Sequence, residues 1–300
     1  MVSIIVLTYN RFELLKKTLK SILNQTYKDF EIIIVNDGSS DDTPHIKSYI
    51  TDERIRLFNL EKQNNLAKLR NYGVKQSKGK YIGFCDDDDL WTDTKLEIQM
   101  PLLDEYDFIC SNAKLIDIED RVLAEKYIKF ENSKILKTKD LLLDNVIMPS
   151  SVIFHKKLLS DDKPFDEFNY INLCEDYNLW IKLSLIAKLY FLNEELILHR
   201  THSSWARGSK NSQQIYRNHF KLLKPFTKSK DPEIRESAHL SMLNNKIYEM
   251  KNLSYHDKKF LAFTKLSGLF FLILRPEYFK AFYIRVKMYF ENRNKIAKNK

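Results

Sequence analysis

The 300-residue chain is 44% hydrophobic and 13% aromatic, enough apolar surface for at least one full core, and its length makes about two domains the expected organisation. Its three cysteines, Cys85, Cys110 and Cys174, lie far apart without CxxC spacing, which excludes a disulfide framework and a structural zinc site and suits a reducing cytoplasm. The net charge of +9 is uneven, because residues 1–204 hold 28 Lys+Arg against 33 Asp+Glu while residues 205–300 hold 21 against 7, so the two parts face different partners.

The opening MVSIIVLTYN has no basic stretch followed by a long apolar run, so no signal peptide is predicted. Val2–Leu7 reads instead as a strand apolar on both faces, as a buried parallel strand requires. Leu14, Leu15, Thr18, Leu19, Ile22 and Leu23 then make one apolar helical stripe, and Glu31–Val35 reads as a second buried strand, completing a βαβ unit. Ile55–Leu60 is the next predicted strand, Leu66–Gln76 a helix and Tyr81–Cys85 a further strand. The expected fold class is α/β, a Rossmann-like mixed and mostly parallel sheet flanked by helices, with a helical C-terminal region.

Open sheets of this kind bind ligands beyond the carboxyl ends of their strands. There the sequence places Thr8-Tyr9-Asn10, Asn36-Asp37-Gly38-Ser39 and Asp86-Asp87-Asp88-Asp89. Four adjacent carboxylates repel one another, and in a crevice they are costly without a compensating cation. Mg2+ or Mn2+, held by one or two carboxylates and by substrate phosphate oxygens, supplies that compensation. A solvated acidic turn ahead of a helix beginning near Thr94 is the plainer alternative. An EF-hand loop is excluded, since Trp91 and Glu97 stand where it needs Gly and Glu. A haloacid-dehalogenase-like phosphatase is disfavoured by Leu90, where its pattern takes Thr or Val.

The blocks VLTYNR, VNDGSSDDT, NNLAKLRNYG, YIGFCDDDDLW and CEDYNLWIKL arrive in one order. Together they resemble the family 2 glycosyltransferases, with the A-type glycosyltransferase fold (GT-A), over residues 2–202. The resemblance implies a nucleotide-sugar donor, UDP-hexose or UDP-N-acetylhexosamine, and transfer with inversion to a hydroxyl of a glycan or lipid-linked glycan in bacterial surface polysaccharide, lipooligosaccharide or glycoprotein glycan assembly. It places Thr8, Tyr9 and Asn10 along the base and ribose, Asp37 on the uracil NH, and Arg70 near the base or phosphates. Its D-x-D-D pattern falls on Asp86, Asp87, Asp88 and Asp89, with Asp88 a ligand of Mn2+ or Mg2+ and Asp86 and Asp87 near ribose and metal. An aspartate at the variable position departs from the commoner small residue and leaves open which of Asp86 and Asp87 touches the ribose. In CEDYNLW the resemblance makes Asp176 the base that deprotonates the acceptor, with Glu175 beside it in the donor site. The R-x-H of LHRTHSSW, Arg200 and His202, resembles the family's closing element, where either the histidine completes the metal shell or a basic residue meets the diphosphate.

Structural alternatives stand beside each role. Asp37 can cap its own turn, Arg70 can be a solubilising charge on an exposed helix face, and Glu175 and Asp176 can be first-turn acids of a helix over Tyr177–Ile186. Trp180 is either a core anchor or a stacking platform, and His202 an ordinary loop residue. A noncatalytic nucleotide- or glycan-binding protein on the same fold is the alternative to an enzyme.

Leu196–His199 is strand-like, and the catalytic domain is expected to end near residue 204. Residues 205–300 read as basic helices, Gln213–Leu223, Glu233–Met250, Lys258–Leu274 and Glu277–Arg293. Aromatics and lysines interleave in EYFKAFYIRVKMYFENRNKIAKNK, a pattern suited to acceptor binding, oligomerisation or anionic lipid. The expected location is cytoplasmic, peripheral at the cytoplasmic face of the inner membrane. No nucleic-acid-binding motif accompanies the charge.

Overall fold

The computed structural model describes residues 1–159, 161, 163–168, 174–201 and 212–255. Two compact units divide them, Met1–Lys137 with Asn145–Ser203, and Thr138–Asp144 with Ser204–Lys300. The first unit begins with β1 (Val2–Thr8), α1 (Phe12–Leu23), β2 (Phe30–Asp37), the one-turn α2 (Ile46–Tyr49), β3 (Ile55–Leu60), α3 (Leu66–Gln76) and β4 (Tyr81–Asp86). It continues through β5 (Leu90–Trp91), α4 (Lys95–Leu102), β6 (Phe108–Ile116), β7 (Val122–Ala124) and β8 (Lys134–Leu136). After α5 (Thr138–Leu143), which belongs to the second unit, come β9 (Ile153–His155), α6 (Glu175–Ser184) and β10 (Leu189–Arg200).

The expected mixed α/β fold is the one the chain adopts. The strands lie in the order β3-β2-β1-β4-β9-β6-β10-β5, with β7 paired to β6 and β8 to β10. β3, β2, β1 and β4 are mutually parallel, β9 runs antiparallel between β4 and β6, and β6 pairs parallel with β10. Every residue of β2 is buried, which is why its centre, Ile32–Val35, is a continuous apolar run and not an alternating one. The stripe on α1 buries Leu15, Thr18, Leu19 and Ile22 against this sheet. β10 is longer than the predicted Leu196–His199 because register shifts between Leu192 and Ile197 let one strand stay paired with β6 throughout.

Trp180 settles into the core: it is fully buried, with its ring centroid 5.1 Å from Phe108 and 6.1 Å from Phe154. Lys95 is also fully buried, its Nζ 2.5 Å from Gln99 Oε1 and 4.2 Å from the Trp91 ring centroid. Burial pushes its ammonium down to about 7.

At the amino ends of the central strands the backbone closes tightly. Gly79 N–H donates to Ser3 Oγ at 2.7 Å, and the Ser3 hydroxyl donates to the buried Glu31, which also accepts from Arg56 and from the Lys78 N–H. A Cβ on Gly79 would stand 2.7 Å from Ser3 N and 2.9 Å from Met1 O, both backbone atoms that cannot step aside. Gly79→Ala is therefore expected to lower stability by about 1–3 kcal/mol in urea denaturation at unchanged m-value.

The second unit is helical: besides α5 it contains α7 (Ser212–Leu223) and α8 (Pro232–Tyr255). Leu141, Leu142, Leu223, Ala238 and Leu243 are buried, and Lys139 pairs with Glu233 at 3.0 Å. α7 and α8 extend slightly beyond the two helices predicted there. The predicted helices Lys258–Leu274 and Glu277–Arg293 lie outside the described residues. No helix among the described residues is long and apolar enough to cross a membrane.

Candidate functional site

Parallel register brings the carboxyl ends of β1, β2 and β4 level, with Thr8 opposite Asn36 and Leu7 opposite Asp86. The loops that follow are tied together. Asn10, at φ 51°, donates its N–H to Ser39 Oγ and accepts the Ser40 N–H at Oδ1. Asp41 crosses from the second loop to accept the Phe12 N–H at 3.0 Å and so satisfies the start of α1. Gly38, at φ 69°, packs its Cα where a Cβ would meet Lys62 N at 2.9 Å. This close approach carries Lys62, Gln63 and Asn64 over the end of β2.

Asp37 accordingly caps that neighbouring loop and not its own turn. Its two oxygens accept the N–H groups of Gln63 at 2.6 Å and Asn64 at 3.2 Å, and Lys62 Nζ lies 3.7 Å away. The same ammonium lies over the Tyr9 ring. Tyr9 is exposed, so Lys62 bridges an aromatic face and the Asp37 carboxylate at the surface.

The four aspartates divide into distinct environments. Asp89 is fully buried and structural: it accepts from Ser150 Oγ at 2.5 Å and from Arg200 N at 2.9 Å, and His199 Nδ1 lies 3.0 Å away. Burial opposes the His199 charge, yet Asp89 holds it up to about 9. Asp87 Oδ1 and Asp88 Oδ2 converge on a single atom, Arg11 Nη1, at 2.9 and 2.5 Å. Burial and the Asp88 charge push Asp87 up to about 6, with Arg11 and Thr8 opposing. Asp86 stands 3.9 Å from Arg70 Nη2, and burial with the charges of Asp89 and Asp88 outweighs Arg70 and pushes it up to about 7.

Arg70 is not an exposed helix charge. It is buried on α3 and pairs with the equally buried Glu175 at the start of α6. Burial disfavours its charge, but Glu175, Asp176 and Asp86 hold the guanidinium protonated more firmly than usual. Asp176 is only partly buried and accepts the Tyr177 N–H at 2.7 Å. Burial and the neighbouring Glu175 push it up to about 6, against Arg70. Thus Asp86, Arg70, Glu175 and Asp176 form one connected electrostatic group at the crevice.

The family model described as Glycosyl transferase family 2 matches residues 3–161. The chain belongs to that family. This family 2 chain is 32% identical over 230 residues to a GalNAc(5)-diNAcBac-PP-undecaprenol beta-1,3-glucosyltransferase of Campylobacter jejuni, a match covering 74% of this chain and 72% of that protein. It is 35% identical over 205 residues to an uncharacterized glycosyltransferase of Rickettsia bellii, covering 65% of this chain and 28% of that one. The chain spans less than half the length of three rickettsial relatives, at 28%, 44% and 32%. Among solved structures, S. aureus TarS residues 1–349 in complex with UDP superposes with a TM-score of 0.63 at 20% identity, covering 86% of this chain and 73% of that one, a likeness of fold.

Within this family 2 fold the acidic turn fits a divalent ion. Two hard carboxylate oxygens, from Asp87 and Asp88, converge on one positive centre, the Arg11 nitrogen, a donor type that suits such an ion. No group of three or more His, Cys, Asp or Glu that could hold a metal occurs among the described residues. An ion held here would complete its shell with substrate oxygens and water. His202 lies outside the described residues. Arg200 does not reach toward the crevice: its guanidinium donates to the carbonyls of Asp88 and Asp117 and pairs with Asp120.

Sequence reasoning missed Arg11, Ser150 and His199. Arg11 closes the VLTYNR block and was legible as a basic residue one loop from the acids. Ser150 was not, since its role depends on a helical turn at Pro149–Ser151 brought beside β4 by the antiparallel β9.

Proposed function

We propose that the chain is a metal-dependent inverting glycosyltransferase that moves a hexose or N-acetylhexosamine from a UDP-sugar to a hydroxyl of a lipid-linked glycan in bacterial surface-glycan assembly. The observation that carries this reading is the gathering of Asp37, the Asp86–Asp88 turn and the Arg70–Glu175–Asp176 group along the carboxyl ends of β1, β2 and β4 and the start of α6. The TarS crystals with UDP and UDP-GlcNAc and the undecaprenol-linked acceptor in the C. jejuni relative's name support the donor and acceptor classes.

In this mechanism Tyr9 offers its ring to the base, and Asp37 accepts the imide NH once Lys62 yields its place. Thr8, Asn10 and Asp86 line the ribose side, with Asp87 beside the metal. Asp88 and Asp87 would hold Mn2+ or Mg2+, which would supply charge stabilisation to a departing diphosphate. Arg70 is anchored by Glu175 so that its guanidinium stays fixed beside Asp86. Asp176, ionised, takes the acceptor proton on the face opposite the leaving group, which is what inversion demands. We place the enzyme at the cytoplasmic face of the membrane, with the basic residues 205–300 toward anionic lipid.

The test is UDP release from UDP-glucose, UDP-N-acetylglucosamine and UDP-N-acetylgalactosamine with an undecaprenyl-diphosphate-linked glycan, with Mn2+ or with chelator. Mn2+-dependent release from at least one donor is expected. Binding of UDP with no transfer from any of them would support a noncatalytic binder instead.

A further inference from the structure

We propose that Arg11 is a displaceable counter-ion of the donor site, holding the Asp87–Asp88 pair together while no nucleotide is bound and giving way to the divalent cation that arrives with the diphosphate. This rests on the reading that Asp87 and Asp88 hold that cation. Three observations support it. The Arg11 side chain is 37% exposed whereas those of Asp87 and Asp88 are 7% and 11% exposed, so the arginine enters from the solvent side and leaves without uncovering core.

Releasing that side chain also leaves α1 intact. Arg11 occupies the residue before the helix at φ −137°, with no side-chain capping bond, and Asp41 satisfies the Phe12 N–H from another loop. The third observation is the contrast with Arg200. That guanidinium is wholly buried, bonded to two carbonyls and to Asp120, and tied to the Asp88 backbone, so the turn keeps its shape when Arg11 departs. One arginine fixes the backbone of the acidic turn, and the other only neutralises its side chains.

The charge balance explains why such an exchange is driven by nucleotide. Arg11 brings one positive charge between the two carboxylates, while a divalent ion brings two and also carries the diphosphate. The ion alone must compete with a resident cation, so it binds weakly until the phosphate oxygens complete its shell. Metal and nucleotide binding are thereby coupled, and neither fills the site alone.

The test measures Mn2+ binding to the full chain by electron paramagnetic resonance, with and without UDP, in the wild type, Arg11→Gln and Arg11→Lys. Without UDP, Arg11→Gln is expected to bind Mn2+ roughly tenfold more tightly than the wild type, within the usual range for coupling between two sites. Arg11→Lys, which keeps the charge, is expected to stay near the wild type, and adding Asp88→Asn to Arg11→Gln to remove the gain. If Arg11→Gln binds Mn2+ no more tightly than the wild type although both bind it with UDP, Arg11 is no competitor and the proposal fails. If the wild type and Arg11→Gln both fail to bind Mn2+ even with UDP, the assignment of Asp87 and Asp88 to a cation fails first and takes the proposal with it.

Discussion

Asp88→Ala is expected to abolish sugar transfer, by at least about a thousandfold, at every Mn2+ concentration. The loss should not be recovered by adding metal, because the substitution removes one of the two carboxylate oxygens that converge at the Arg11 position. The fold should survive it. One Asp88 contact that holds the turn is its backbone carbonyl, which accepts from Arg200 Nε at 2.8 Å and is unchanged in the variant. A thermal melt close to that of the wild type, together with lost turnover in the UDP-release assay, is the predicted pair of results. Ordinary activity in a well-folded variant would remove Asp88 from any role at the diphosphate.

Asp176→Asn is expected to separate binding from chemistry. Asparagine keeps the size and can still accept the Tyr177 N–H, but it cannot take a proton, so kcat should fall by about a hundredfold to ten-thousandfold while UDP with Mn2+ still binds. The pH profile provides a second reading. Burial and Glu175 push Asp176 up to about 6, so the working, ionised form predominates above that pH and is lost as pH falls through it. The wild-type acid limb of kcat/KM should therefore lie near pH 6, and residual activity in the variant should lack it. An unchanged kcat in Asp176→Asn would assign the proton to another group.

The sequence made the first half of the sheet readable because there each element carries its own period. β3 and α3 fall on Ile55–Leu60 and Leu66–Gln76 as predicted, and β2 was legible from its unbroken apolar run. The later strands were less accessible. β5, β7, β8 and β9 are two or three residues long, too short for any alternation to register, and they exist because longer neighbours offer them an edge. In the site, the crowding of carboxylates was visible but their division was not. Asp89 is set apart from Asp88 by Ser150, His199 and Arg200, residues 61, 110 and 111 positions away in the chain. Arg70 illustrates the same limit: amphipathic spacing cannot tell an exposed arginine from one buried against a glutamate 105 residues on.

The anchoring of Asp89 has a consequence for how this crevice can change over time. Asp89 is closed to water, accepts the buried Arg200 N–H and faces the His199 ring, so exchanging it for an apolar residue strands that N–H and removes the carboxylate that holds the imidazole charge. Asp86, by contrast, leaves 40% of its side chain exposed. Substitution is therefore cheaper for the scaffold at Asp86 than at Asp89, and an assay of turnover alone would score both residues as equally essential.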